Sequence, residues 1–224
     1  MNMASNMPSN LPLPTPTATG LRLIPGYLGR PEQEELVAAL REIVRQAPLF
    51  TPVMPGTGKP FSVRMTNCGP LGWVSDAGGY RYQPTHPLTH EPWPPMPDIL
   101  LHAWAELADY SDPPQACLVN YYGPLARMGL HQDRDEEDFA APVMSFSLGA
   151  SCRFRIGGTT RAAPTRSFAL ASGDVLVLGG ASRLAFHGVD RIIAGTSTLL
   201  PDGGRINLTL RRVSAPANGA AMLP

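Results

Sequence analysis

The sequence predicts a mainly β domain with flanking α-helices, a jelly roll (double-stranded β-helix), on three observations. After Pro113-Pro114 the chain breaks into short strand-like runs: Ala116–Tyr122, Met128–His131, Val143–Leu148, Cys152–Ile156, Ser167–Leu170, Val175–Leu178, Arg183–His187 and Ile206–Arg212. Turn residues separate them at short intervals, including Gly149-Ala-Ser, Gly157-Gly158, Ser172-Gly-Asp174 and Gly179-Gly180, which is the punctuation of a sandwich or barrel. Two helical patterns precede the strands and fit as a flank on one sheet.

Composition bounds the rest. With 224 residues and 43% hydrophobic content the chain can bury one substantial core, so a single domain over about 21–213 is expected. The formal net charge is zero, so any basic surface has to be local. Only Lys59 among the cationic residues is a lysine. Arginine suits bidentate contacts to phosphate and carboxylate, and a compositional habit of the source genome explains the bias equally well. Cys68, Cys117 and Cys152 form an odd set without C-x-x-C spacing, pointing to reduced thiols in an intracellular protein. No apolar run is long enough to span a bilayer and no secretory signal opens the chain, so a cytoplasmic protein without membrane contact is expected.

In chain order, residues 1–20 are uncharged, rich in Pro, Asn, Ser and Thr, and without apolar periodicity; a flexible tail is expected there and another over 214–224. From Pro31 to Gln46, Leu36, Val37, Leu40, Ile43 and Val44 recur at helical spacing behind Glu32, Glu34 and Glu35, an amphipathic helix whose dipole favours early anions. Phe61–Met65 alternates like a strand, and Thr66 to Pro84 reads as a long irregular segment rich in glycine and aromatics. With the loop-like stretch before it, this is an expected lid over about 53–84. Trp73, Tyr80 and Tyr82 offer faces on which a base can stack, and Arg64 and Arg81 can meet phosphates; packing of the aromatics onto the core is the plainer alternative. A second helix is expected over about Asp98 to Asp109. His86, His90 and His102 lack a partner at ligand spacing and are read as surface or packing residues.

Two features of the strand-rich core, about 115–213, carry chemistry. His131 and Asp133 stand two residues apart, so in an extended segment both side chains face one way. His187 is the best third ligand, and two histidines with one carboxylate leave three positions of an octahedral ion open, as in non-haem Fe(II) oxygenases. A structural zinc site in a non-enzymatic jelly roll is the alternative. In Arg205-Ile-Asn-Leu-Thr-Leu-Arg211, alternation puts Arg205, Asn207, Thr209 and Arg211 on one face. Two inward arginines are costly to bury without anions, and a dicarboxylate co-substrate would supply a carboxylate for each guanidinium. The alternative is the solvent side of an edge strand.

These residues, with Met65-Thr-Asn-Cys-Gly-Pro-Leu-Gly-Trp73, Asn120-Tyr-Tyr122, Leu130-His-Gln-Asp-Arg-Asp-Glu136, Ser145-Phe-Ser-Leu-Gly149, Gly157-Gly158 and Gly173-Asp-Val175, form an ordered set. From about Leu21 to Val213 the chain thereby resembles the AlkB family of Fe(II)- and 2-oxoglutarate-dependent dioxygenases, its bacterial members in particular. The resemblance implies iron ligation by His131, Asp133 and His187, with 2-oxoglutarate and O2 as co-substrates. It implies that Arg205 pairs with the distal carboxylate of 2-oxoglutarate, that Arg211 sits near its metal-bound end, and that Asn120, Tyr122 and Asn207 hydrogen-bond it. Trp73 and His131 would sandwich the damaged base, Asp135 would contact its exocyclic amino group, and Tyr80 and Arg161 would hold the neighbouring phosphate or base.

The implied reaction is oxidative demethylation of 1-methyladenine and 3-methylcytosine, preferably in single-stranded DNA, releasing formaldehyde, succinate and CO2. A monomer is expected. Duplex DNA and RNA stay open as substrates, and a small molecule or protein side chain as the hydroxylated group is the alternative within the same chemistry. The chain departs from the family pattern at Leu178, where a tryptophan is expected, at Tyr121, where an arginine is common, and by an extra glycine in Pro201-Asp-Gly-Gly-Arg205.

Overall fold

The computed structural model describes residues 20–216; the expected N-terminal tail, apart from Gly20, and residues 217–224 of the C-terminal one lie outside them. The elements are β1 (Leu21–Ile24), α1 (Arg30–Gln46), β2 (Arg64–Cys68), β3 (Gly72–Asp76), β4 (Gly79–Gln83), α2 (Asp98–Leu107), β5 (Ala116–Tyr122), β6 (Met128–His131), β7 (Val143–Gly149), β8 (Ser151–Ile156), β9 (Arg166–Leu170), β10 (Val175–Leu178), β11 (His187–Ile193) and β12 (Arg205–Arg211). A 3-10 turn, Gly180–Ser182, joins β10 to β11.

Two sheets face one another as in a jelly roll. The larger has the order β1-β10-β7-β12-β5-β2 and the smaller β6-β11-β8-β9; β3 and β4 form a separate hairpin. Period-two alternation sorts the larger sheet's side chains between two cores. On one face Leu118, Val143, Leu176 and Leu178 pack towards Phe154, Ile156, Val189 and Ile192 of the smaller sheet. On the other Val119, Met144, Phe146, Leu148, Leu208 and Leu210 pack beneath Leu36, Leu40 and Ile43 of α1 and Leu100 and Trp104 of α2. Each such buried leucine contributes roughly 1.5–3 kcal/mol, so the helix-covered face is a rigid floor for the site.

Local chemistry agrees with this layering. Pro31 lies in the first turn of α1, where its missing N–H and fixed φ cost nothing, Glu32 meets the positive end of the dipole and Arg45 the negative end. Pro48 disfavours a helical Ala47 and ends the helix.

The structure corrects three sequence expectations. The strand placed at Phe61–Met65 begins at Arg64 and runs to Cys68. The irregular lid segment contains the β3–β4 hairpin, with Trp73 opposite Tyr82 and Ser75 opposite Tyr80. The run Arg183–His187 is not a strand: the chain leaves the 3-10 turn, and β11 starts at His187.

Candidate active site

Strand register assembles the histidines. β6 and β11 pair antiparallel with His131 opposite His187, and the rings lie 4.5 Å apart. Gly188 permits this approach: a Cβ there would meet the carbonyl oxygens of Met128 and Gly129 at 2.6 and 2.8 Å. His131 Nδ1 donates to the Gly129 carbonyl and His187 Nδ1 to the Ala185 carbonyl, each at 3.0 Å. A carbonyl only accepts, so Nδ1 carries a proton in each ring and Nε2 is the nitrogen turned towards a metal.

Asp133 completes the cluster, and one donor atom from each of the three residues lies within 4.8 Å of the others. Oδ1 accepts from Arg211 Nη2 at 2.8 Å, whereas the buried Oδ2 has no hydrogen-bond partner and lies 3.7 Å from His187 Nε2. Burial alone would raise this carboxyl, but Arg211, His187 and His131 outweigh it and hold Asp133 well below the usual carboxylate range. His187 is pushed down to about 4, first by burial and then by His131, and so stays neutral near pH 7. An ionised Asp133 and a neutral His187 suit a divalent cation.

The polar face of β12 looks into the space between the sheets, which excludes the solvent-edge reading. Arg205 is 1% exposed, yet among the described residues its guanidinium meets only Ser147 Oγ at 2.7 Å and the Ala150 carbonyl at 3.4 Å, and its Nε has no partner there. Asn120 Oδ1 is likewise buried and unpartnered. Asn207 Nδ2 donates to Ser145 Oγ and the Phe146 carbonyl, and Thr209 Oγ1 donates to Asn207 Oδ1 at 2.9 Å. Arg205, Asn120, Asn207, Thr209, Tyr122, Arg211 and the three metal-ligand candidates line a cavity of about 420 Å³. Leu118, Val143, Leu170, Leu176 and the divergent Leu178 form its apolar wall.

The mouth is roofed by the β3–β4 hairpin. Asn67, buried on β2, holds both backbone polar groups of Trp73 at 3.0 Å, fixing where the indole emerges. Trp73 stacks on Tyr80 with ring centroids 5.4 Å apart and donates from Nε1 to Asp135 Oδ2 at 2.9 Å. Tyr82 shares that face of the hairpin and donates its hydroxyl to Glu136.

Three arginines considered from sequence lie elsewhere. Arg81 is paired with Asp76, Arg64 lies over the Tyr121 ring, and Arg161 lies over the Phe186 ring on the exposed β8–β9 loop, outside the cavity lining. His86 is a packing residue, fully buried with Nε2 2.8 Å from the Pro48 carbonyl; His90 and His102 are exposed. Sequence reasoning assigned no role to Asn67, Glu136, Ser147 or Arg183. Glu136 is masked by its place in a charged run that reads as solvated, and Arg183 by the apolar residues beside it.

An ionised Asp133 with a free oxygen, two imidazoles turned to one point, and a buried arginine lacking an anion fit a divalent metal and a dicarboxylate together. That defines a class: the chain belongs to the 2OG-Fe(II) oxygenase superfamily, whose family model matches residues 20–211. Fe(II) and 2-oxoglutarate are its metal and co-substrate.

Within that superfamily it is an AlkB-family, α-ketoglutarate-dependent dioxygenase. It is 56% identical over 199 residues to the AlkB homolog of Caulobacter vibrioides, covering 89% of this chain and 90% of the relative. To AlkB of Escherichia coli it is 44% identical over 183 residues, covering 80% and 84%. The solved structure of OsALKBH1 matches it with a TM-score of 0.72 at 30% identity, over 88% of this chain and 99% of that one.

Proposed function

We propose that this dioxygenase repairs alkylated nucleic acid by oxidative demethylation of 1-methyladenine and 3-methylcytosine, with single-stranded DNA as the preferred substrate. The observation that carries the reading is the mouth: an aromatic face, Trp73 and Tyr80, stands beside an acceptor, Asp135, directly above the metal ligands. Aromatic faces hold bases of any sequence by stacking, and a base that cannot pair is already single-stranded or costs little to flip out.

Bound Fe(II) with 2-oxoglutarate and O2 supplies the oxidation of a methyl C–H bond, giving succinate and CO2 from the co-substrate. The chain's contribution is positioning. Arg205 takes the distal carboxylate of 2-oxoglutarate in a paired guanidinium contact, with Asn120 and Tyr122 beside it and Asn207 and Thr209 further along β12. Trp73 and His131 take the two faces of the base. Asp135 keeps acceptor capacity beyond its bond to the indole, because a carboxylate has about four lone-pair sites, and uses it for the exocyclic amino group. Tyr80 at the mouth and, from the exposed β8–β9 loop outside the cavity, Arg161 are assigned to the neighbouring phosphate or base. Hydroxylation at the methyl carbon produces a hemiaminal on the ring nitrogen, which releases formaldehyde and the repaired base.

The test is a turnover assay on a single-stranded oligonucleotide carrying one 1-methyladenine, following the methyl group by mass. Loss of the methyl that requires Fe(II), 2-oxoglutarate and O2 together is the expected result. Succinate formation without methyl loss would keep the site and redirect the substrate to a small molecule or a protein side chain.

A further inference from the structure

Three ligands come from two segments, and strand pairing fixes only two of them. His131 and His187 face each other in the β6–β11 ladder, but Asp133 lies past the end of β6 in an irregular stretch that continues to Val143. No ladder holds its backbone. Arg211 holds Oδ1 of the carboxylate and the Glu137 N–H donates to the Val213 carbonyl further along, which leaves the backbone of Asp133 itself to be fixed.

One guanidinium ties the Asp133 backbone. Arg183 is 2% exposed and reaches the irregular stretch at three points: Nη1 donates to the Asp133 carbonyl at 2.6 Å, Nη2 to Glu136 Oε2 at 2.9 Å and Nε to the Ala141 carbonyl at 2.8 Å. Its flat face lies over the Phe139 ring at 5.3 Å. Arg183 itself is tied into the turn leading to His187: its N–H donates to the Gly180 carbonyl, and the Ala185 N–H donates to Ser182. Ala185 in turn offers the carbonyl that orients the His187 ring. Gln132 adds a parallel tie, donating to the Leu184 carbonyl at 2.6 Å.

We propose that Arg183, with Glu136 as its buried counter-charge, is the positioning residue of the iron site: it locks the Asp133 turn onto the His187 turn before any metal arrives. Glu136 suits the part because it is 6% exposed and also meets Arg211 Nε at 3.4 Å and the Tyr82 hydroxyl. Arg183 lies outside the cavity lining and acts through the residues it holds, the Asp133 backbone first among them. Three acceptors in one plane demand a planar fork; a lysine keeps the charge opposite Glu136 but cannot satisfy all three points.

The experiment uses the full chain and Mn(II) as a redox-silent probe, with affinity measured by calorimetry without nucleic acid. Arg183→Lys is expected to bind Mn(II) about 10–100-fold more weakly, the usual loss when a partner behind a metal ligand is removed. Leu36→Ala is the control: it opens a cavity under α1, far from the ligands, and is expected to lower the melting temperature while leaving Mn(II) affinity within about twofold of wild type, as distant independent sites do. Wild-type affinity in Arg183→Lys, or an equal loss in Leu36→Ala, overturns the proposal.

Hydrogen exchange on the wild-type protein carries the test where Arg183→Lys does not fold. The Glu137 amide, which donates to the Val213 carbonyl at 2.8 Å, is expected to be protected in the metal-free protein nearly as well as with Mn(II) bound. Free exchange that becomes protected only on adding Mn(II) means that the metal, and not Arg183, orders the turn.

Discussion

The two arginines at the ends of β12 lie on the same face of the same strand, are nearly equally buried, and live in opposite electrostatic worlds. Arg211 is 5% exposed and held by two carboxylates, Asp133 at 2.8 Å and Glu136 at 3.4 Å; burial alone would lower it, but these carboxylates hold it above the ordinary guanidinium range. Arg205 is 1% exposed and, among the described residues, meets a hydroxyl and a carbonyl but no carboxylate. An ion buried without its counter-ion is costly and persists only for a purpose. On the proposed reading, the difference separates a structural end of the strand from one poised for an incoming anion.

The sharpest way to break that comparison is to make the same substitution at both ends. Arg211→Met leaves Asp133 and Glu136 short of a buried positive charge and is expected to lower the unfolding free energy of the metal-free protein by about 3–5 kcal/mol. Arg205→Met removes a charge that has no partner. Its stability by urea unfolding is expected to match or exceed wild type, because replacing an unpaired buried ion by an apolar chain of similar size is often neutral or stabilising. Equal losses at both ends would mean that Arg205 has a counter-charge that the contacts do not reveal.

Function is expected to rank the two in another way. Truncating one partner of a buried charge pair costs about 2–5 kcal/mol, so Arg205→Met should raise the KM for 2-oxoglutarate by roughly 30-fold to more than a thousandfold. The measurement is succinate formation against co-substrate concentration. An unchanged KM would place the distal carboxylate away from β12.

The mouth extends the contrast from charge to stacking. Trp73→Ala is expected to weaken binding of a methylated single strand by about 1–3 kcal/mol, the worth of one base on one aromatic face. Fluorescence anisotropy of a labelled oligonucleotide reads this directly. Undiminished affinity would make the indole a packing residue that serves only Tyr80 and Asp135.

What the sequence revealed follows the same physics. The β12 face was legible because strict alternation survives along the whole strand, and the H-x-D pair because of its short spacing, although Asp133 lies just past the end of β6. The start of β11 was not legible. A register shift between Val189 and Arg191 breaks the two-residue period just after His187, and the apolar residues Leu184 and Phe186 imitate a strand that is in fact a turn. The β3–β4 hairpin was read as irregular although Asp76-Ala-Gly-Gly79 is a turn signal, because a lone two-stranded ribbon packs too little on the core to leave a clear apolar face. The anchoring pair Arg183 and Glu136 was invisible for a different reason. Their meaning lies in a contact across 47 residues, and sequence spacing carries no trace of it.

A pair near the surface sets the lower end of the scale. Tyr110 Oη donates to Asp138 Oδ2 at 2.6 Å, and the Ala140 N–H donates to Oδ1 at 2.8 Å. The Tyr110 hydroxyl, then Ala140, lower the Asp138 carboxyl, while burial and then Asp138 push the Tyr110 phenol up to about 12. A depressed acid contributes stability above its unfolded value of about 4 and loses it as pH falls. A raised phenol contributes below its unfolded value of about 10 and loses it as pH rises towards 12. Tyr110→Phe is therefore expected to lower stability between about pH 5 and 9 by only about 0.2–1 kcal/mol, the range of solvent-screened pairs. The variant and wild-type curves should converge in acid and again in strong alkali. A loss that persisted unchanged at pH 2 would assign the effect to packing of the ring, and the contrast between buried and screened charge would then rest on β12 alone.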